Sequence, residues 1–228
     1  MVWKGVFMTI KHKNLWIFIF IGLIALLLVS SISNLLLYLK SVNINNYLSR
    51  RVFEDTSGFA SSVLKTDQIL NDSLHSKQIT IGNANILGNE FLNQSNDIFD
   101  LVDIYVHNAM EEIPMGNIIS YIPEEFSLYI SRILNRPPQS FDIYAYNKDE
   151  IIKLNKEQLA KFTKMKDIND KLVEIVKKDV KGLKTYGIEN NADFTPSNAI
   201  KNPLWKRLIN DIVDYKNKIH WSPGFILN

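Results

Sequence analysis

The chain has 228 residues, 46% of them hydrophobic and 22% charged, with a formal net charge of +2. That is the range of a folded protein, and it excludes collagen, low-complexity linker and highly charged tail as descriptions of the whole. Cysteine is absent, which excludes disulfide scaffolds, thiolate metal sites and cysteine nucleophiles. The near balance of charge gives no electrostatic reason to expect nucleic acid as a partner.

The first element is also the most distinctive. No charged residue lies between Lys13 and Lys40, and residues 15–29 are almost wholly apolar. After the polar patch 30–34 the apolar character resumes as Leu35-Leu-Leu-Tyr-Leu39. A helix needs about 20 mostly apolar residues to span a bilayer, and inside lipid it must satisfy its own backbone polar groups. Trp16 and Tyr38 stand near the two ends, where amphipathic rings favour the membrane interfaces. Residues 14–39 are therefore expected to cross a membrane once, as an uncleaved signal anchor. The alternative is a signal peptide cut after Ser31, with Val29 and Ser31 as its small residues. Against that cut, apolar residues 35–39 lie beyond it. Lys4, Lys11 and Lys13 flank the short side, so the positive-inside bias puts residues 1–13 in the cytoplasm and residues 40–228 outside.

The composition carries a second hint. The chain has 30 Ile, 24 Asn and 21 Lys against 8 Ala and 5 Arg, a bias that an AT-rich genome imposes through its codons. A bacterial cell membrane is the expected setting.

Beyond Lys40 the apolar residues recur mainly at helical spacing. Ile44, Leu48, Val52, Phe59, Val63, Leu70 and Leu74 form one stripe, which makes 40–76 an amphipathic juxtamembrane helix. No Pro or Gly interrupts residues 23–57, so this helix is expected to continue directly from the membrane segment. Its stripe either packs inside its own domain or pairs with a second copy, making a homodimer through Ile44, Leu48 and Val52. Gly82, Asn83, Asn85 and Gly88 make 78–88 read as a loop. A second helix is expected over 89–113, ended by Pro114. Pro123 followed by Glu124 and Glu125 starts a third, which Pro137 and Pro138 close. Residues 141–146 alternate enough for a short strand. Asn147 and Glu150 have the form of a capping box for a long helix carrying Leu159, Phe162, Met165, Ile168, Leu172, Val176, Val180 and Leu183. Gly182 and Gly187 mark its end. A last helix follows Asn202-Pro203, with Leu204, Leu208, Ile212, Tyr215 and Ile219 on one face.

The expected fold is thus mainly α: one N-terminal transmembrane helix, then an extracytoplasmic, bundle-like helical domain of four to five helices over 77–228. Charge is divided along it. Residues 78–131 hold eight acids and no Lys or Arg, whereas residues from 147 onward hold 16 Lys or Arg against 11 Asp or Glu, a net +5. Acidic and basic helices facing one another inside one domain is the simplest reading of that division.

Few residues carry chemistry. Asp100-x-x-Asp103-x-x-x-His107-x-x-x-Glu111 places four side chains on one helix face at steps of three, four and four. Carboxylates and imidazole so arranged could bind a divalent cation with help from elsewhere. The same face is the polar side of an amphipathic helix, where acids serve solubility. The spacing matches neither the di-iron Glu-x-x-His pairs nor the His-Glu-x-x-His of zinc proteases. No nucleophile elbow, P-loop or dinucleotide fingerprint is present, and no cofactor is expected. The function expected from the sequence is that of a single-pass envelope protein whose outer domain binds another envelope protein. A membrane-tethered enzyme or metal-binding protein using the Asp100–Glu111 face is the alternative.

Overall fold

The structure is a computed structural model, and it describes residues 3–109, 121–135, 148–180, 183–184, 187–188 and 193–219, with side chains over 19–107, 121–135, 148–180 and 193–219. The chain is mainly helical. Its elements in order are helix α1 (Trp3–Ser76), strand β1 (Gln78–Thr80), helices α2 (Ile81–Ala109) and α3 (Tyr121–Leu134), strand β2 (Ile151–Lys153), helix α4 (Lys156–Asp179), strands β3 (Leu183–Lys184) and β4 (Gly187–Ile188), a 3-10 turn (Ala199–Lys201) and helix α5 (Leu204–Lys218). By compactness the chain divides into two units, Met1–Tyr47 and Leu48–Asn228.

The first unit is the N-terminal part of α1. It holds the one helical segment among the described residues that is long and apolar enough to cross a membrane. Its apolar side chains are exposed, Phe20 at 66% and Leu37 at 65%. Leucine and isoleucine on every side of a helix suit lipid and not water.

The second unit begins at Leu48, inside the segment expected to be juxtamembrane, so 48–76 belong to the compact domain. The reason is visible in the stripe. Val52, Phe59, Val63 and Leu70 are all wholly buried. Val52 sits in the domain's own core and Leu48 packs against that core, while Ile44 is 47% exposed. Two of the three residues considered for a homodimer seam are thus engaged within their own chain.

The core of this unit is two apolar clusters. One joins Val52, Phe59 and Val63 of α1 with Ile98, Leu101 and Tyr105 of α2, Leu172 and Val176 of α4, and Trp205, Leu208 and Ile212 of α5. The other joins Leu70 of α1, Leu87 and Phe91 of α2, Phe126 and Ile130 of α3, and Phe162, Met165 and Ile168 of α4. Phe91 and Phe126 meet edge to face at 5.0 Å, and so do Tyr105 and Trp205 at 5.8 Å. Aromatic edges carry partial positive charge and faces negative, which favours both contacts.

Several boundaries differ from the sequence reading. Residues 78–80 form an antiparallel ladder with 151–153, pairing Ile79 with Ile152, and α2 starts at Ile81, eight residues earlier than expected. Thr80 caps that helix: its Oγ1 accepts from Asn83 N at 3.1 Å. Gly82 is no turn. Its N–H donates to Lys148 O at 2.9 Å, and a β-carbon there would stand 3.1 Å from the same carbonyl. The capping box of α4 is Asn155 with Gln158, not Asn147 with Glu150. Asn155 Oδ1 accepts from Gln158 N at 2.9 Å, and Gln158 Oε1 accepts from Asn155 N at 2.9 Å. The residues before it, Ile151–Lys153, are drawn into the ladder instead. α3 stops before the prolines, at Asn135, whose φ of 52° is the left-handed cap asparagine tolerates. Pro114, the expected strand 141–146, and Pro137-Pro138 lie outside the described residues.

Candidate functional site

Polar residues interrupt the apolar stripes of α1, α2 and α4 at one level. On α1 this is Ser62, Lys65 and Thr66, on α2 Glu90 and Gln94, and on α4 Asn169. Thr66 Oγ1 lies 2.8 Å from Asn169 Oδ1 and accepts from Gln94 Nε2 at 3.0 Å. Asn169 Nδ2 donates to Val63 O at 3.1 Å. Glu90 accepts from Ser62 at 2.7 Å and from Lys65 at 2.9 Å. Thr66, Gln94 and Asn169 are wholly buried. In sequence along each helix, this layer falls between the two apolar clusters. Buried polar groups joined in this way through Thr66 fix which turn of one helix faces which turn of the next.

One to three turns towards the start of the domain, α1 and α2 meet through charge. The helices run antiparallel, since Ser62 pairs with Glu90 and Arg51 with Asp100. Between those contacts lie Asp55, Gly58 and Asp97. Gly58 leaves room for the Asp97 side chain, because a β-carbon there would stand 2.6 Å from Asp97 Oδ2. Asp55 is 5% exposed. Arg51 Nε is 3.2 Å from Asp55 Oδ2, near enough to attract it but out of hydrogen-bond alignment. Burial pushes Asp55 up to about 7, with Arg51 opposing and Asp100 and Glu54 reinforcing. Burial also pushes Asp97 up to about 7, reinforced by Asp55 and Asp100. One guanidinium thus lies near three carboxylates in a partly dry seam, where burial favours the neutral form of Asp55 and Asp97.

The expected metal face falls on the edge of this seam. Asp100 is held by Arg51. His107 Nδ1 lies 2.8 Å from Asp103 O and 3.3 Å from Asp103 Oδ1, so the ring turns back on its own helix. Glu111 lies outside the described residues. Among the described residues no group of three or more His, Asp and Glu side chains is placed to bind one ion together.

The expected facing of the acidic and basic stretches takes a different form. Asp100 and Glu90 of α2 pair with Arg51 and Lys65 of α1. On α4, Lys166 pairs with Asp67 of α1 at 3.2 Å, and Lys178 pairs with Asp211 of α5. Helix α1 is therefore shared by both stretches and supplies charge of each sign.

A groove of about 510 Å³ runs between α4 and α5, lined by Lys171, Glu174, Ile175, Lys178, Asp211, Asp214, Tyr215 and Lys218. Next to it, Asp179 is 5% exposed, and burial and Asp211 together raise its carboxyl above the ordinary range. The lining carries both signs of charge on exposed, rotatable stems, which suits a polar segment of another molecule more than a small apolar ligand. α5 itself is a core helix: Trp205 is wholly buried, so this helix does not rest its tryptophan on a lipid surface.

The sequence reading missed Asp55, Asp97 and Gly58 as a group. The available signal was a glycine inside a long amphipathic helix with an acid one turn before it. No protein family, curated protein or solved structure matches the chain.

Proposed function

We propose that the chain is a single-pass, membrane-anchored protein of a bacterial cell envelope, whose compact unit lies on the extracytoplasmic side and acts by binding a partner protein. The observation that carries the reading is helix α1. It holds a lipid-suited apolar segment in its N-terminal part and the central core stripe of the folded unit in its C-terminal part. An anchor continuous in sequence with a core helix suits a protein that presents a binding surface near a membrane. Lys4, Lys11 and Lys13 on the short side support a cytoplasmic N-terminus. The α4–α5 groove is the surface proposed for the partner, whose contacting segment would carry charges of both signs.

The test uses single cysteines, because the parent has none. Lys164→Cys on the exposed face of α4 should react with a membrane-impermeant maleimide on intact cells. Reaction only after permeabilisation overturns the orientation. A photocrosslinking residue at Lys171 or Lys218 should give a discrete protein adduct in cells, and the same residue at Glu157 should not. Identical, diffuse adducts from all three positions would remove the groove from consideration.

A further inference from the structure

Beside the α4–α5 groove lies a second hollow of about 430 Å³, lined by Lys178 and Asp179 from the end of α4 and by Arg207, Asn210 and Asp211 from α5. Lys178 and Asp211 line both hollows and pair with each other. That pair leaves one carboxylate and one guanidinium in the lining. Asp179 is 5% exposed, and its Oδ2 is buried without a hydrogen-bond partner. A carboxylate oxygen that has left water without finding a donor is costly, and folded proteins keep few of them. The neighbouring cations do not supply the donor. Lys178 is on Asp211, and Arg207, which is exposed, makes no ion pair among the described residues. Asp211 adds to the need for positive charge. Burial first, and then Asp211, raise the Asp179 carboxyl, with Lys178 and Arg207 opposing.

We propose that this hollow takes a basic side chain, arginine or lysine, from the partner segment held in the neighbouring groove, with its charged N–H groups on Asp179 Oδ2 and an acid of the same segment on Arg207. The inference rests on the groove being a partner surface, and it adds which residue type anchors the partner and where. An ammonium or guanidinium brings the N–H donors that Oδ2 lacks. A bare anion would suit Arg207 but leave Asp179 unmet. A divalent cation would find two carboxylates, one of them already held by Lys178, where such ions take six or more oxygens. Because Oδ2 is buried, a guest without a donor at that point leaves it unpaired, so the hollow discriminates against apolar residues more sharply than an exposed acid does.

The experiment uses the full-length protein in detergent micelles, with Asn210→Cys supplying the one thiol. Methanethiosulfonate reagents carrying a trimethylammonium or a sulfonate group label it, and their rates are normalised to those with mercaptoethanol. The cationic reagent should be favoured by about three- to tenfold, although Lys178 and Arg207 stand beside it. Adding Asp179→Asn, which keeps the shape without the charge, should abolish or reverse the preference. The capped peptide acetyl-Gly-Arg-Glu-Gly-amide at millimolar concentration should slow labelling by at least about twofold, and the same peptide with Gln for Arg should not. A preference for the anionic reagent, or a cationic preference that survives Asp179→Asn, overturns the proposal. If the double variant does not fold, the peptides decide in Asn210→Cys alone: no protection, or equal protection by both, overturns it. The purified protein carries no partner, so the two readings fail separately. Cationic preference and peptide protection without an adduct from Lys171 in cells would remove the partner and keep the hollow, whereas adducts without the preference would remove the hollow alone.

Discussion

The side-chain oxygens of Thr66 and Asn169 meet at 2.8 Å across 103 residues of sequence, in a place neither water nor ligand reaches. Removing one member of such a contact takes hydrogen bonds from groups that stay buried. Asn169→Ala should withdraw one donor from Val63 O, which still accepts from Thr66 Oγ1, and weaken the setting of Thr66 and Gln94. The expected loss is about 1–3 kcal/mol of unfolding free energy, combining the lost hydrogen bonds with a small cavity. Lys171→Ala, two residues on, breaks only an exposed pair with Glu174 and should change stability by less than about 1 kcal/mol. Chemical denaturation of the two variants side by side measures the contrast.

Gly58→Ala should destabilise the protein, although alanine is the better helix former by roughly 0.5–1 kcal/mol. The new methyl would meet Asp97 Oδ2 at 2.6 Å, and forced repacking costs about 1–3 kcal/mol. A net loss of about 1 kcal/mol is expected in thermal or denaturant unfolding. Pairing Gly58→Ala with Asp97→Ala should recover part of it, and strict additivity of the two would show that they do not touch.

Arg51→Gln removes the cation that lowers Asp55 and Asp97. Their folded pKa values, already raised to about 7, should rise further. A carboxyl whose folded pKa lies above its unfolded value of about 3.9 contributes stability below that lower value and loses it as pH rises through the folded one. The parent should therefore lose stability between about pH 4 and 7, and in Arg51→Gln the loss should extend to higher pH. Thermal midpoints measured against pH locate both curves, and a shift to lower pH would contradict the assignment.

Anchoring is checked by fractionation. The protein should stay in the membrane pellet after carbonate and salt washes, with residues upstream of Ser31 found by mass spectrometry. A chain beginning at Ile32 in the medium would show instead that the N-terminal segment is a cleaved signal.

Cysteines can also read the stripe on α1. Val52→Cys should resist a small maleimide in the folded protein, and Tyr47→Cys should react quickly, following 0% and 68% exposure. Efficient disulfide crosslinking between copies at position 52 would mean that the core seen around Val52 opens for a partner.

How much of this was legible in the sequence depended on period. The stripes Val52, Phe59, Val63 of α1 and Leu204, Leu208, Ile212 of α5 repeat at 3.6 residues, and both helices lie where that repeat puts them. The apolar run before Lys40 was plain by length alone. The β1–β2 ladder was not, because three residues are too few to show a period of two and their partners are some seventy residues away. The capping box of α4 was displaced by eight residues because Asn147 and Asn155 offer the same local chemistry. Only pairing of 151–153 with 78–80 decides between them. Thr66, Gln94 and Asn169 looked like ordinary polar interruptions of a stripe, since their meaning lies in being level with one another across three helices. Gly58 read as a weak point in a helix, and in the fold it is where the Asp97 side chain finds room.

Synthesis order gives the two-cluster core a further consequence. Helix α1 leaves the ribosome before α5, yet Val52 and Phe59 share their cluster with Trp205, Leu208 and Ile212 of α5. The last of these follows Val52 by 160 residues. At common elongation rates of about 5–20 residues per second, that interval is on the order of 10–30 s. Through that time the stripe on α1 has only α2, and later α3 and α4, to cover it. The nascent chain is thus most exposed to misassociation in the segment next to its own apolar run, where other newly made apolar segments are also emerging. A holding factor, or early closure of the polar layer around Thr66, would shorten that exposure.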